Sequence, residues 1–381
     1  MHFLSGVTGL ILIGVVLVDA FEAMVLPRRV TRPYRLARAF YRVAWGFWRG
    51  VACRLPRGKR RENFLSVFGP FSLIVLFVLW ACGLIIGFTL IHWSLGTPVY
   101  RTVQSDPVTI VDYLYLSGVT FFTLGYGDVA PTAPLGRLLT VIEAGMGFGF
   151  LGVVVGYLPG LSQSSSQREL TISLLDARAG SPPTAAEGIT RAAKLGYLST
   201  NAAFFSEWEH WAAQVLESHL SYPVLMYYRS QHENQSWLAA LTSVLDSSAL
   251  ILSGVTKLDS YQAQLTFAMA RHVLVDLSLI IKAQPLEPPP DRLPPEEFAR
   301  LRTMLHEAGL EMADPERVEQ RLTELRAMYE PFAGGLAKRL LFEIPPIVPK
   351  AKPVDNWQTS AWTRRTPGIG DLPGSQIEEH F

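Results

Sequence analysis

The sequence is poor in cysteine, and its positive and negative charges nearly cancel. Only Cys53 and Cys82 occur in 381 residues, and the absence of a C-x-x-C pair excludes that type of metal site. Because Cys53 lies in a basic stretch and Cys82 in an apolar run, we expect no disulfide between them. The 34 Lys and Arg nearly balance the 33 Asp and Glu, so the overall charge favours no acidic partner, and we predict no nucleic-acid partner.

Charge is also scarce within three long apolar runs. The mean hydropathy of +0.21 is high for a purely soluble protein. Runs 3–26, 70–93 and 138–158 each reach the length of roughly 20 residues that a bilayer-crossing helix needs. The middle run has no charged residue, and the third has one, Glu143. We therefore predict three transmembrane helices.

The charge between the first two runs gives an orientation. Twelve Lys or Arg and no Asp or Glu lie between Arg28 and Arg61, which places this loop in the cytoplasm. The N-terminus and residues 94–134 are then external, and the part from about 161 is cytoplasmic. No basic residue precedes the first run, so we predict a retained helix rather than a signal peptide. The expected location is the plasma (inner cell) membrane, with several passes.

The part after residue 160 is predicted to be helical and cytoplasmic. Residues 162–167 indicate a polar linker, and apolar residues then recur at helical spacing in 204–220, 237–252 and 265–281. Asp314 and Pro315 are typical of an N-cap and first turn, and they predict a helix to about Tyr329. Arg271 and Asp276 argue against a further span, since a charge at the bilayer centre costs ~2.5–3.5 kcal/mol.

The most informative stretch is a short motif between the second and third runs. Residues 123–128 read Thr-Leu-Gly-Tyr-Gly-Asp, and residues 111–122 before them predict a helix too short to span. Gly125 and Gly127 permit the positive φ angles with which a chain can stack its carbonyl oxygens along one axis. Thr123 adds a hydroxyl oxygen, Tyr126 is expected to point away from the axis, and Asp128 places a negative charge at the outer mouth.

This stretch resembles the selectivity filter of the potassium-channel family, whose usual form is Thr-Val-Gly-Tyr-Gly. The resemblance covers about residues 70 to 160, and it departs from the usual form at Leu124. It implies a pore in which four loops around one axis replace the hydration shell of K⁺. The predicted K⁺ ligands are Thr123, Leu124, Gly125 and Tyr126, within a filter that extends through Gly127 and Asp128.

The third run carries the expected gate. By resemblance to the family, Gly147 falls where a hinge glycine sits, and Phe148, Leu151 and Val155 would line an apolar cavity. Close helix packing is an alternative explanation, because Gly145/Gly149 and Gly152/Gly156 are small-xxx-small pairs.

Three acidic residues lie within the apolar runs. Glu143 is either an ion- or proton-sensitive group behind the filter or a carboxyl bonded to Ser117 or Thr120, and we favour the second. Asp19 and Glu22 are expected to meet arginines of the basic loop.

The basic loop itself allows two interpretations. Arg29, Arg32, Arg35 and Arg38 recur at every third residue, as in voltage-sensing helices, but Pro33 interrupts the series. Aromatic residues interleave with the arginines, which favours binding to the anionic membrane surface.

The cytoplasmic part gives little indication of its ligand. It contains no G-x-G-x-x-G nucleotide motif after a strand and no β-rich cyclic-nucleotide module. Glu207 and His210 have E-x-x-H spacing, and His219, His232 and His272 with Asp276 are further candidate metal ligands. Surface or hydrogen-bonded histidines explain this pattern better, so a regulatory ligand stays unidentified.

We therefore predict an all-α membrane protein with three transmembrane helices, one re-entrant pore helix with its filter, and a cytoplasmic helical domain. It would form a homotetramer that conducts K⁺ passively, without enzymatic activity or a cofactor. The alternatives are a non-selective cation channel and a membrane-anchored sensor without conduction. The predicted segments are an N-terminal transmembrane helix (1–27), a basic cytoplasmic or interfacial segment (28–68), the pore domain (69–160), the cytoplasmic helical domain (161–284), a helical extension (285–344) and a flexible tail (345–381).

Overall fold

A computed structural model describes residues 2–26, 35–102, 107–180, 182–194, 196, 201–230, 235–255, 260–312 and 314–350. The chain forms two compact units, Met1–Ser164 with Leu220–Tyr228 and Ser165–His219 with Arg229–Phe381. The segment 220–228 therefore belongs to the first unit, although the predicted boundary near 160 assigns it to the cytoplasmic domain. Arg29, Arg32 and His232 lie outside the described residues.

The first unit holds the predicted pore domain. Its elements in chain order are α1 (His2–Met24), α2 (Leu36–Ala52), α3 (Lys59–Leu95), β1 (Val99–Arg101), α4 (Ile110–Phe121), β2 (Val129–Pro131), α5 (Pro134–Ala179), which continues into the second unit, and a 3₁₀ helix (Pro223–Tyr227). The two short strands pair antiparallel.

Helices α1 and α3 pack closely because glycines face each other across their contact. A Cβ added at Gly9 would lie 2.5 Å from the carbonyl oxygen of Gly87, and one added at Gly87 would lie 2.5 Å from Ile13 Cγ1. Such small residues let two helix backbones approach closely within a membrane.

The acidic end of α1 holds the start of α2, as the sequence indicates. Arg35 Nε lies 3.4 Å from the carboxylate of Glu22 and 4.0 Å from that of Asp19. Asp19 also accepts hydrogen bonds from the backbone N–H of Ala37 at 2.9 Å and from Trp80 Nε1 at 3.0 Å. The predicted pairing with an arginine of the basic loop is therefore confirmed for Arg35, which reduces its freedom to act as a moving voltage sensor.

The second unit is a bundle of helices. Its elements are the end of α5, α6 (Ala185–Lys194), α7 (Asn201–Ser221), α8 (Trp237–Leu252), α9 (Tyr261–Ile281), α10 (Pro295–Glu307), α11 (Pro315–Ala327) and α12 (Glu330–Leu340). Asp314 caps α11 by accepting a hydrogen bond from the Arg317 N–H at 3.1 Å, as predicted. Helix α9 packs against α8 and α12.

Buried polar groups join these helices. Arg292 donates to Asp246 at 3.0 Å and to Glu330 at 3.1 Å, while Arg326 Nε donates to the same Glu330 carboxylate at 2.9 Å. The four largely buried charges of this network must be satisfied together, because a buried ion that loses its partner is strongly destabilising. The fifth member, Asp291, accepts from Arg326 Nη2 at 2.9 Å.

The structure contradicts the predicted linker and the start of the predicted tail. Residues 162–167 are part of the continuous 46-residue helix α5 and form no linker. Glutamine is a good helix former and serine a modest one, so this polar stretch does not break a helix that is packed on both sides of it, at Leu161 and at Arg168. The predicted tail begins with an ordered stretch, since Ile347 and Val348 are buried and the Ile347 carbonyl accepts from the Ala186 N–H at 3.1 Å.

Candidate functional site

The loop at 123–128 is positioned by the helix that precedes it. Helix α4 begins at Ile110, and the Asp112 carboxylate accepts the backbone N–H of Thr109 at 2.7 Å and its hydroxyl at 2.9 Å. Arg101 lies 3.4 Å from the same carboxylate. The Thr109 backbone hydrogen bond, assisted by that hydroxyl and by Arg101, lowers the pKa of Asp112. An ionised carboxylate at this end stabilises α4 through the helix dipole.

The other end of α4 turns directly into the loop. The Thr123 N–H donates to the Thr120 carbonyl at 3.0 Å, and the Leu124 N–H donates to the Val119 carbonyl at 2.8 Å. These bonds fix the first loop residues on the carbonyl end of the helix, where the helix dipole is negative and favours a cation.

The backbone of the loop alternates in handedness. Thr123 has φ +56°, Gly125 has φ +59° and Gly127 has φ +75°, while Leu124 and Tyr126 have negative φ. The positive φ angles predicted for the two glycines are therefore present, and Thr123 adopts one as well. Alternation of this kind turns successive carbonyl groups toward the same side of the chain, which creates a row of oxygens that can coordinate a cation.

A two-stranded ribbon holds the outer end of the loop. Arg101 of β1 pairs with Val129 of β2, which directly follows Asp128. The Asp128 carbonyl accepts the N–H of Thr102 at 3.1 Å, and its carboxylate accepts the hydroxyl of Tyr115 at 2.8 Å. Sequence reasoning missed both the ribbon and Tyr115, because pairing between three-residue strands leaves no periodic signal.

Two large side chains of the loop are exposed in the single chain. Leu124 is 53% exposed and Tyr126 is 68% exposed. The described part of the chain therefore covers little of the Tyr126 side chain.

Helix α5 passes behind the loop at Gly147. A Cβ added at Gly147 would lie 2.8 Å from the carbonyl carbon of Phe121 and still closer to its oxygen, at the last residue of α4. The helix is continuous through Gly147. The residues predicted to line a cavity are exposed in the single chain, with Phe148 at 74%, Leu151 at 40% and Val155 at 68%.

Glu143 lies on the same helix and is fully buried. Ser117 of α4 forms a short hydrogen bond with Glu143 Oε1 and donates to the Ile85 carbonyl at 2.9 Å. The preferred interpretation, a carboxyl bonded to Ser117, is therefore confirmed. Glu143 Oε2 has no hydrogen-bond partner among the described residues.

The described candidate metal ligands of the second unit do not converge on one site, although His272 Nε2 lies 3.4 Å from the Asp276 carboxylate. Glu207 pairs with Arg178 at 3.1 Å, and His210 Nδ1 lies 2.8 Å from the carbonyl of Ser206. No group of three His, Cys, Asp or Glu that could hold a metal occurs among the described residues.

His219, another of these candidates, has a different role. Its Nδ1 lies 2.7 Å from the Val215 carbonyl, so Nδ1 carries the proton, and its Nε2 lies 3.4 Å from Arg168 Nη1. Burial, with the positive charge of Arg168 beside it, lowers the pKa of His219 to about 3. His219 is therefore a neutral residue of the core, hydrogen-bonded to Arg168 in the part of α5 that belongs to the second unit.

By length and composition, four described helices could cross a membrane, namely α1, α3, the first 43 residues of α5, and α9. Together with the loop between α4 and β2, they define the class of the protein as an α-helical membrane protein with an ion-channel pore unit.

Comparison with known proteins is consistent with that class. The ion channel family model matches residues 74–159. Protein LctB of Bacillus caldotenax is 36% identical over 92 residues, which cover 22% of this chain and 67% of that protein. Two-pore potassium channel 5 of Arabidopsis thaliana is 38% identical over 76 residues, 19% of this chain and 18% of that protein. The chain belongs to the potassium channel family.

The similarity is confined to parts of the longer relatives. The uncharacterized membrane protein YdjJ of Bacillus subtilis (strain 168) is 34% identical over 125 residues, which cover 33% of this chain and 36% of YdjJ. No solved structure matches the chain significantly.

Proposed function

We propose that the chain is a subunit of a potassium-selective channel that conducts K⁺ passively and catalyses no reaction. The alternating backbone at Thr123, Gly125 and Gly127 carries this proposal. In a filter, the carbonyls of Thr123 to Tyr126 and the Thr123 hydroxyl would replace the water around K⁺. Asp128 would raise the cation concentration at the outer mouth. No cofactor is needed besides the permeant ion.

The proposed assembly is a homotetramer. One loop supplies only a quarter of a ring of carbonyls, so four copies around an axis are needed to surround the ion. The exposure of Tyr126 and Phe148 in the single subunit supports this assembly, because both would otherwise present large apolar surfaces without a partner.

The proposed topology has three spans, α1, α3 and α5, with α4 as a re-entrant helix. Helix α9 is the least suited of the four candidates, since Arg271 and Asp276 lie within it and it packs in the second unit. The basic stretch then faces the cytoplasm, with the N-terminus outside, the C-terminus inside and the protein in the plasma membrane. Val43 and Phe47 are exposed on α2 between arginines, which supports contact with anionic lipids.

The proposed gate lies at the inner helices. The pore would be lined there by an apolar ring formed by Phe148, Leu151 and Val155. Ions would pass when this ring is wide and would be blocked when it is narrow. Gly147 remains the candidate hinge, although its contact with Phe121 gives it a packing role as well.

Ion flux from liposomes containing the full-length protein tests the proposal. We expect K⁺ flux that exceeds Na⁺ flux by a large factor. Flux without selectivity would favour a non-selective cation channel, and the absence of flux would favour a membrane-anchored sensor. Either outcome rejects the proposal.

A pair of glycines provides a matched control for the filter. Gly127 has φ +75° and Gly309, in the second unit, has φ +77°, and neither would place a Cβ within 4 Å of another group. Alanine at either position should cost a similar backbone strain of about 1–2 kcal/mol. We expect Gly127→Ala alone to reduce K⁺ selectivity. Equal flux and selectivity in the two variants would contradict the assignment of the filter.

A further inference from the structure

Residues 222–228, Tyr-Pro-Val-Leu-Met-Tyr-Tyr, form a segment that we term the tyrosine segment. It belongs to the first unit, whereas the chain immediately before Leu220 and from Arg229 onward belongs to the second. Val224, Leu225 and Met226 are buried within it. A short piece of the chain, with second-unit residues before and after it, is thus part of the core of the first unit.

The start of the tyrosine segment contacts α5. The ring of Tyr222 lies edge-on to that of Tyr157, with 5.0 Å between centroids. A Cβ added at Gly160, one turn further along α5, would lie 2.5 Å from the Tyr222 hydroxyl oxygen. Tyr222 can occupy this position only because residue 160 is glycine, so its contact with α5 is sterically defined.

The end of the tyrosine segment contacts α2 and α3. The ring of Tyr227 lies 5.0 Å from that of Trp45 in α2 and 5.2 Å from that of Phe68 in α3. A Cβ added at Gly69 would lie 2.5 Å from Tyr228 Cδ2. Aromatic side chains such as these are stiff and make specific contacts, each of which adds stability beyond the area it buries.

We propose that Tyr222, Tyr227 and Tyr228 are positioning residues that fix the end of the inner helix against α2 and α3. The contacted part of α5, from Tyr157 to Gly160, follows directly after Val155 of the proposed gate. The tyrosine segment is joined to the second unit at both ends, and Tyr222 contacts α5. It therefore gives the helical bundle a second connection to the inner helix, besides the continuation of α5 itself. This inference rests on the proposed channel function and names the element through which that function is regulated.

A double substitution tests the contact. Gly160→Ala adds a methyl group against the Tyr222 hydroxyl, and Tyr222→Phe removes that oxygen, leaving Cζ 3.4 Å from the added Cβ. In single-channel recordings of the full-length protein at fixed K⁺ and voltage, we expect Gly160→Ala to shift the open probability about fivefold, the size of one aromatic contact. The double variant should return to within about twofold of the wild type.

The control is Gly14→Ala in α1, where an added Cβ has nothing within 4 Å, and it should leave the open probability unchanged. If Gly160→Ala does not assemble, Tyr222→Leu, which adds no clash, should produce a shift of similar size. An unchanged open probability in both single variants, or an effect of Gly160→Ala that Tyr222→Phe does not relieve, would overturn the inference. A wild-type protein without K⁺ flux would instead reject the proposed function.

Discussion

Gly147→Ala distinguishes packing from bending at the proposed hinge. The added methyl would meet the carbonyl group of Phe121, where the carbon is 2.8 Å away. These are backbone atoms at the end of α4, so no side-chain rotation relieves the contact, and either α5 or α4 must move. Since the Thr123 N–H is bonded to α4, movement of its end displaces the filter.

The magnitude follows from two opposing effects. Overpacking of this kind costs typically about 1–3 kcal/mol. Replacing glycine by alanine within a helix returns up to about 1 kcal/mol. Because the contact is with backbone atoms that cannot rotate away, the upper part of that range, about 2–3 kcal/mol, applies, and the net loss is about 1–2 kcal/mol per subunit. In the proposed tetramer the same loss occurs four times.

Two measurements on the purified full-length protein report the outcome. We expect Gly147→Ala to lower the apparent Tm and the K⁺/Na⁺ flux ratio together, whereas a pure hinge would alter the open probability with both values unchanged. Gly14→Ala, which gains helix propensity without a clash, should keep or raise the apparent Tm. A wild-type Tm and flux ratio in Gly147→Ala would refute the packing argument.

Two further predictions concern buried ionisable groups. In the folded protein the pKa of His219 is about 3, whereas a histidine in the unfolded chain has a pKa of about 6.5. Between about pH 6.5 and pH 3, therefore, His219 takes up a proton only when the chain unfolds. Stability should therefore fall below about pH 6.5, by about 2 kcal/mol at pH 5, and His219→Gln should remove that part of the change in apparent Tm between pH 7 and pH 5. Glu143→Gln keeps a partner for Ser117 and should retain K⁺ flux, whereas Glu143→Ala should lower the Tm through a loss of about 1–3 kcal/mol. A flux lost in Glu143→Gln would show that the carboxyl does more than form this hydrogen bond.

The features that the sequence predicted well are local ones. The short helix α4 and the two glycines of the loop are determined by residues within about twenty positions of one another. The pairing of Asp19 and Glu22 with an arginine was predictable, because a charge near a membrane face needs a partner and the basic loop follows these residues closely in the sequence.

The features that it missed depend on distant residues. Nothing in residues 162–167 indicates that Arg168, which follows them in α5, is buried beside His219. Residues 345–350 have the composition of a flexible tail, yet Arg292 donates to the Pro345 carbonyl at 2.6 Å. The composition of a segment predicts flexibility only where no residue distant in the sequence forms hydrogen bonds with its backbone.

The glycines of α5 bear most directly on the assembly. Gly145, Gly149, Gly152 and Gly156 follow one another at intervals of four, three and four residues, so they lie along one face of the helix. A Cβ at any of the four would have nothing within 4 Å in the single subunit, in contrast to Gly147 and Gly160. Each glycine weakens the helix by up to about 1 kcal/mol relative to alanine, and no contact within the subunit offsets that cost. A neighbouring helix that approaches this face closely would offset it, which supports an assembly in which the inner helices of several subunits meet.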